Sequence, residues 1–525
     1  MKLILSNLRA DRELDRDGLK ELAASAIGTT PERIQDCSVL KVSRDARHRP
    51  VIWVYRLLAE TDLANVPTVP GRIEPVTVEI PYQPPTPLPS RPASRPVVIG
   101  AGPAGLFAAL VLAEGGAPPL ILEMGEPVEK RTVTVARFWR YGTLNPRSNV
   151  QFGEGGAGAF SDGKLTTRKN DRRIGWVFRR LVEYGAPERI LTDGKPHIGT
   201  NFLKRLLRRL RDHLEQLGTE FRFGTEVTDI LHLNGRVAGL RISTGEEISA
   251  SRVVLAPGHS ARDLFPALER AGLRMEAKPF AVGFRVEHPQ PLIDRARYGK
   301  ERDGPLPAAD YRLAVTDRET GRGVYSFCMC PGGLVINASS APGGLVVNGM
   351  SNFARDHRFA NAALVVQINP DDFPGQGPLR GMDWQAELEK RAFALGGGSY
   401  RAPAQRLVDY LAQRESASLP STSFLPSVVA ADLHGLLPQP CEAALERSIR
   451  RFTRQIRGFD SEEALLIAVE SRTSSPVQIA RTQTLEAEGL MGLYPAGEGP
   501  GWAGGIVSAA VDGMKVAESL LSTLR

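Results

Sequence analysis

Apolar and polar positions alternate from Met1 to Leu8, which predicts a strand with one buried face. Asp17 to Ala26 has helical spacing, with Asp15 or Asp17 placed to cap it and Gly28 to stop it. Cys37 to Val42 and Pro50 to Leu57 are again strand-like, so residues 1–82 predict a small α+β domain. Gln83 to Pro92 holds five prolines. So many missing N–H donors cannot pair in a central strand, and residues 83–95 read as a stiff, extended linker.

The pattern then changes to alternating strands and helices. Pro96 to Ile99 is a short apolar strand, Gly102 to Glu114 a helix and Leu120 to Glu123 a second strand. Phe202 to Leu217 predicts an amphipathic helix. Strands follow at Thr219 to Phe223, Val227 to Asn234, Val237 to Ser243 and Arg252 to Ala256. Residues 276–475 are richer in Gly and Pro, with strands at Ala281 to Val286 and Leu345 to Val347. They read as an inserted lobe, after which residues 476–525 return with a strand near Leu493 and a final helix from Val507 to Leu521.

The most specific motif is Val97-Val98-Ile99-Gly100-Ala101-Gly102-Pro103-Ala104-Gly105. It follows a strand, opens a helix, and Glu123 ends the next strand 18 residues beyond Gly105. That frame makes it a dinucleotide fingerprint rather than a bare glycine pattern. Gly100 permits the tight turn, Gly102 lets backbone approach a pyrophosphate, and Gly105 lets helix and strand pack closely. Pro103 and Ala104 begin the helix, whose N-terminal N–H groups and dipole favour phosphate. Glu123 is placed to accept hydrogen bonds from the adenosine ribose.

NAD and FAD share this fingerprint. The segment from Gly492 to Ile506, reading Gly-Leu-Tyr-Pro-Ala-Gly-Glu-Gly-Pro-Gly-Trp-Ala-Gly-Gly-Ile, separates them. It resembles the C-terminal flavin motif of glutathione-reductase-like flavoproteins. By that resemblance Glu498 holds the ribityl chain, and Gly504, Gly505 and Ile506 offer N–H groups to the pyrimidine edge of a flavin. A positive helix end there stabilises an anionic reduced flavin.

Further long motifs are Asn149 to Leu165, Phe327-Cys328-Met329-Cys330-Pro331-Gly332-Gly333 and Glu470 to Pro476. With these, the chain from about Pro96 onward resembles the FAD-dependent dehydrogenase (NAD(FAD)-utilising dehydrogenase) family of glutathione-reductase-like flavoproteins. The resemblance implies an α/β fold with three parts. These are a Rossmann-type FAD-binding domain from 96–275 and 476–525, an inserted α+β substrate lobe over 276–475, and the small N-terminal α+β domain. It also implies that Gly155 and Gly156 lie in a small-residue loop against the isoalloxazine ring. Val227 would present its backbone to adenine, and Gly258 would belong to the crossover loop Ala256-Pro257-Gly258. FAD is expected to be non-covalent, since no attachment motif surrounds a His or Cys near these segments.

Charge adds a second theme. The net charge is +7, and seven basic residues fall between Lys164 and Arg180 against one acid, Asp171. Lys204, Arg205, Arg208, Arg209 and Arg211 form the outer face of the amphipathic helix. Both stretches read either as solvated faces or as steering for an anionic substrate or a nicotinamide dinucleotide. No zinc knuckle, RNP motif or aromatic-interleaved basic strip is present, which argues against nucleic acid. Apolar residues (42 %) and charged residues (24 %) fit a globular chain. The longest apolar run, Leu106 to Ala113, is far shorter than the ~20 residues a membrane helix needs. With four cysteines and no signal-peptide core, a reducing cytoplasm is expected.

Two side chains are candidates for chemistry beyond the cofactor. Cys330, in Cys-x-Cys, is either a small buried strand residue or a redox or acid group beside the flavin. Arg472 can fork onto a substrate carboxylate or phosphate, or tie the lobes together. Metal ligation is not expected. The function expected is FAD-dependent hydride transfer through N5 to or from an organic, anionic substrate, with NAD(P)H as a transient donor. A flavin monooxygenase and a flavin-containing RNA-binding or RNA-modifying protein are the alternatives.

Overall fold

A computed structural model describes residues 1–524 apart from 47, 49, 77–80, 300, 301 and 303–305. In the N-terminal part, strand Lys2–Ala10 lies between Ile52–Thr61 and the short strand Ile73–Pro75, and Ile34–Asp45 completes a four-stranded antiparallel sheet. Helix Arg16–Ile27 covers one face. Asp15 caps it by accepting from the Gly18 N–H at 3.0 Å, and Gly28 stops it in the left-handed region. The strand Ile34–Asp45 is twice as long as Cys37 to Val42. Bulges at Ile34/Asp36 and Val39/Lys41 break its alternation, and with it the sequence signal.

Five parallel strands form the second sheet, in the order Leu493–Pro495, Val253–Leu255, Val97–Ile99, Leu120–Glu123 and Glu220–Phe223. The last strand of the chain thus pairs with Val253–Leu255, 240 residues earlier. Helix Pro103–Glu114 has ten of its twelve residues buried, which requires cover on all sides. That cover comes from the sheet and from the long C-terminal helix Ile506–Ser522, packed against it. Helix Thr200–Gln216 buries Leu203, Leu206, Leu207, Leu210 and Leu214, as its spacing predicts. Two of its outer basic residues are engaged within the chain: Arg211 bonds Glu154 and Glu129, and Arg208 bonds Glu129.

Residues between these parts build a seven-stranded sheet. Its centre is Phe359–Ile368, Phe280–Pro289 and Leu465–Glu470, which run antiparallel and are almost wholly buried. Helix Gln439–Gln455 packs on Phe359–Ile368, and helix Arg380–Leu395 packs on Leu465–Glu470. The molecule is therefore α/β, with a parallel sheet of the Rossmann type. Among the described residues no helix is long and apolar enough to cross a membrane.

Candidate functional site

The turn after Val97–Ile99 is shaped by backbone meeting backbone. Gly100 has φ +94°, and a Cβ there would overlap the carbonyl oxygen of Ala256. A Cβ on Gly105 would overlap the carbonyl oxygen of Gly100, so this glycine serves helix–turn packing. Gly102 differs. Its φ of −79° suits any residue, and the nearest atom to a Cβ would be Gly156 Cα at 3.9 Å. No protein atom demands glycine at 102; the space it leaves open belongs to a cleft.

That cleft, of about 390 Å³, is lined by Gly100, Gly102, Pro103, Ala104 and Glu123 from the first half of the chain. Gly156, Gly258, Glu498, Gly504, Gly505 and Ile506 join them from distant segments. Gly504 and Gly505 also leave room that no protein side chain fills. These open glycines, with the N-terminus of the seventeen-residue helix Ile506–Ser522, fit a flat, anionic dinucleotide cofactor such as FAD. The Glu123 carboxylate accepts from the N–H groups of Ala101 (2.8 Å), Gly125 (2.9 Å) and Gly153 (2.9 Å). A carboxylate offers about four acceptor sites, so one remains for a ribose hydroxyl. Glu498 lies 3.3 Å from His259 Nδ1, a neighbour that nothing in the sequence marks.

The loop Asn149–Gly156 is held by Arg131. Its fully buried guanidinium donates to the carbonyls of Asn149, Val150, Gly153, Glu154 and Gly156 at 2.7–3.1 Å. All five N–H donors are thereby satisfied. Burial pulls Arg131 down to about 10, and the nearby Glu123 and Glu154 oppose that. Sequence reasoning overlooked this residue, since one Arg in the charged helix Val128–Tyr141 carries no special signal.

Val227 and Gly155 differ from expectation, and for Cys330 and Arg472 the structure bears on which of two readings holds. Val227 sits in the apolar core with Ile230, Val237 and Leu240 and does not line the cleft. A Cβ on Gly155 would overlap Leu207 Cδ1, so this glycine packs the loop on the helix Thr200–Gln216 while Gly156 faces the cleft. Cys330 is fully buried and does not line the cleft, whereas Cys328 does. A one-residue bulge between Phe327 and Cys330 re-aims the strand there. Arg472 lines the cleft, but its guanidinium is engaged: it holds Glu389 through two bonds (2.9 and 2.8 Å) and reaches Ser260 (2.9 Å) and Ser340 (2.7 Å). Burial alone would raise the Glu389 carboxyl; Arg472 and Arg262 outweigh it and hold it below the usual range. Arg472 is thus a tie between segments rather than a free anion fork.

A second, larger cleft of about 1090 Å³ opens beside the first and shares Lys164, Thr166, Phe327, Cys328 and Gly504 with it. Seven cations line it: Lys164, Arg168, Lys169, Lys195, Lys278, Arg312 and Arg355, against the single acid Asp310. Lys164 and Arg355 are paired with Asp162, and Lys195 with Asp310. Lys169 and Lys278 bond the carbonyls of Trp502 and Gly501, both at 3.0 Å. Among the described residues, Arg168 and Arg312 form no ion pair.

Residues 95–263 match the model of the FAD binding domain, and residues 279–473 match that of the FAD-dependent protein, C-terminal domain-like. A Clostridium beijerinckii protein, described only as uncharacterized, is 48 % identical over 433 residues, covering 82 % of this chain and 81 % of that one. Protein FixC of Salmonella typhi is 26 % identical over 207 residues, 38 % of this chain and 44 % of that protein. Among solved structures, the flavin-dependent brominase Bmp2 aligns with 83 % of this chain and 80 % of its own, at 13 % identity and a TM-score of 0.35. The chain is an FAD-dependent oxidoreductase, and it belongs to the family of FAD-dependent proteins that join an FAD binding domain to this C-terminal domain.

Proposed function

We propose that the protein exchanges hydride between its FAD and an anionic organic substrate held in the basic cleft, and that NAD(P)H enters the same cleft transiently. FAD supplies the hydride chemistry, through N5. Gly100, Gly102, Glu123 and the first turn of Pro103–Glu114 would hold its adenosine diphosphate part. Glu498 would hold the ribityl chain, and the N–H groups of Gly504, Gly505 and Ile506 would meet the pyrimidine edge, as in glutathione-reductase-like flavoproteins. On this reading 96–275 with 476–525 is the FAD-binding unit, 276–475 the substrate lobe, 83–95 the linker and 1–82 a separate N-terminal domain. Four free cysteines support a cytoplasmic location.

The observation that carries the reading is the shared wall of the two clefts. An anion drawn in by Arg168, Lys169, Lys278 and Arg312 comes to rest against the residues that border the flavin cleft. Such focusing raises the local concentration of anions and falls with ionic strength. The test is anaerobic flavin bleaching by NADH and NADPH in wild type and in the double variant Arg168→Glu, Lys169→Glu. The expected result is slower reduction of the variant, a wild-type rate that falls with salt, and unchanged FAD content. Equal rates at low salt, or no bleaching of wild type by either nicotinamide, would overturn the reading.

A further inference from the structure

Cys328 and Cys330 stand where the two clefts meet, and several independent features treat them as a pair. Strand Gly323–Cys330 runs in register with Phe359–Ile368 as far as Phe327↔Ala363. It resumes at Cys330↔Asn361, so three steps on one strand face two on the other. Cys328 occupies the extra position with φ +45°, a region that a non-glycine residue enters only at a cost. The bulge puts Cys328 on the wall of both clefts. Cys330 stays behind it, 3.3 Å from the Cys328 carbonyl oxygen.

The charges around the pair are arranged for one thiolate. Lys164 Nζ is 3.8 Å and Arg285 Nη2 3.9 Å from Cys330 Sγ, and Arg285 also donates to the Cys328 carbonyl at 2.7 Å. Lys164 is fixed by Asp162 at 2.6 Å, and Arg285 by Glu470 at 2.9 Å and Asn361 at 2.8 Å. The neighbouring Cys330 holds Cys328 below the ordinary thiol range, with Lys164 and Arg285 assisting against burial. The neighbouring Cys328, with burial, pushes Cys330 up. Cys37 and Cys441 lack this setting, and burial pushes each up to about 11.

We propose that Cys328 and Cys330 form a redox-active dithiol that exchanges two electrons with the FAD, Cys328 being the sulfur that faces the flavin and the basic cleft. In the oxidising direction the Cys328 thiolate and the Cys330 thiol join in an Sγ–Sγ bond. The S–H bond of Cys330 breaks, and its proton with two electrons appears on the flavin as the reduced anion. One hydrogen and one negative charge stand on each side, so no further reactant is needed. In the reverse direction the reduced flavin opens the disulfide and leaves a thiolate facing the basic cleft. The inference needs the flavin cleft but not the nicotinamide donor.

The test uses the full-length, FAD-loaded protein treated with diamide, which is then removed. Alkylation under denaturing conditions and peptide mass measurement should find the peptide spanning 328–330 unlabelled and two mass units light. Anaerobic dithionite titration should consume four electrons per flavin in wild type and two in Cys330→Ser. A peptide that still takes two labels after diamide, or a wild-type titration that ends at two electrons, would overturn the proposal. Neither wild-type measurement depends on whether the variant folds. Because dithionite replaces the nicotinamide, failure of NAD(P)H reduction leaves this result readable.

Discussion

The guanidinium of Arg131 donates to the carbonyl of Gly153 at 3.1 Å, while its Cδ fills the space that a side chain at 153 would need. One residue thus reads five carbonyls of a loop and enforces the absence of a side chain on it. Gly153 also has φ +120° and gives its N–H to Glu123 at 2.9 Å, so the loop is held from both sides. Replacing Arg131 with Met leaves five buried carbonyls short of a donor. Breaking a buried charged network of this kind costs about 3–5 kcal/mol. Arg131→Met should therefore lower denaturant stability by that order and lose bound FAD, read as the flavin-to-protein absorbance ratio. A variant with full FAD content would show that the loop is shaped without it.

Gly102 and Gly105 predict opposite phenotypes. A Cβ at 102 enters only the cleft, whereas a Cβ at 105 meets the Gly100 carbonyl. Gly102→Ala should leave the melting temperature of the FAD-free protein unchanged and reduce FAD affinity at least tenfold. Gly105→Ala forces helix Pro103–Glu114 off its turn, and overpacking of this kind costs about 1–3 kcal/mol. It should lower the FAD-free melting temperature as well. If the two variants melt alike without FAD, the separation of roles fails.

The backbone of the FAD-binding sheet was legible because its signals are local. Val97–Ile99, the glycine turn and Glu123 lie within thirty residues, and each chemical demand falls on a residue type. Arg131, His259 and the choice of Cys328 over Cys330 were not legible. Arg131 and His259 act on partners in other segments, and the thiol choice turns on a one-residue bulge that no composition reports. Arg472 was legible as a residue that grips a carboxylate. That the carboxylate is the chain's own Glu389, on helix Arg380–Leu395, follows only from tertiary contact.

The Arg472–Glu389 pair predicts a coupling. Arg472 Nε and Nη2 meet the carboxylate at 2.9 and 2.8 Å, and Arg262 and Ser471 bond the same group. Arg472→Met leaves Glu389 partly served, and Glu389→Met leaves the buried Arg472 and the half-buried Arg262 without a counter-ion. Each single change should destabilise by about 3–5 kcal/mol. The double variant should lose less than the sum, by about 1–3 kcal/mol. Additive losses in denaturant unfolding would mean that the two groups act separately. A stable but inactive Arg472→Met would return Arg472 to the role of substrate anchor.

His288 predicts a pH response with a fixed sign. It is fully buried in Phe280–Pro289, with Nε2 2.7 Å from the Phe459 carbonyl, so the neutral ring donates there. Burial pulls its pKa down to about 4, from 6.5 in the unfolded chain. Between those values the unfolded chain binds a proton that the folded one does not. Stability from this group is therefore present above pH 6.5 and is lost as pH falls through 4, by about 3 kcal/mol at 1.36 kcal/mol per unit. Glu154 and Glu470, pushed up to about 7 by burial, act with the opposite sign: their contribution is full below the unfolded value and is lost as pH rises through 7. The raw pH profile mixes these effects, and the difference between His288→Gln and wild type isolates one. The variant should be the less stable protein at pH 7 through its altered packing. Relative to wild type it should gain about 3 kcal/mol between pH 7 and pH 4 in urea unfolding. A difference that stays flat across that range would mean that His288 titrates alike in the folded and unfolded chain.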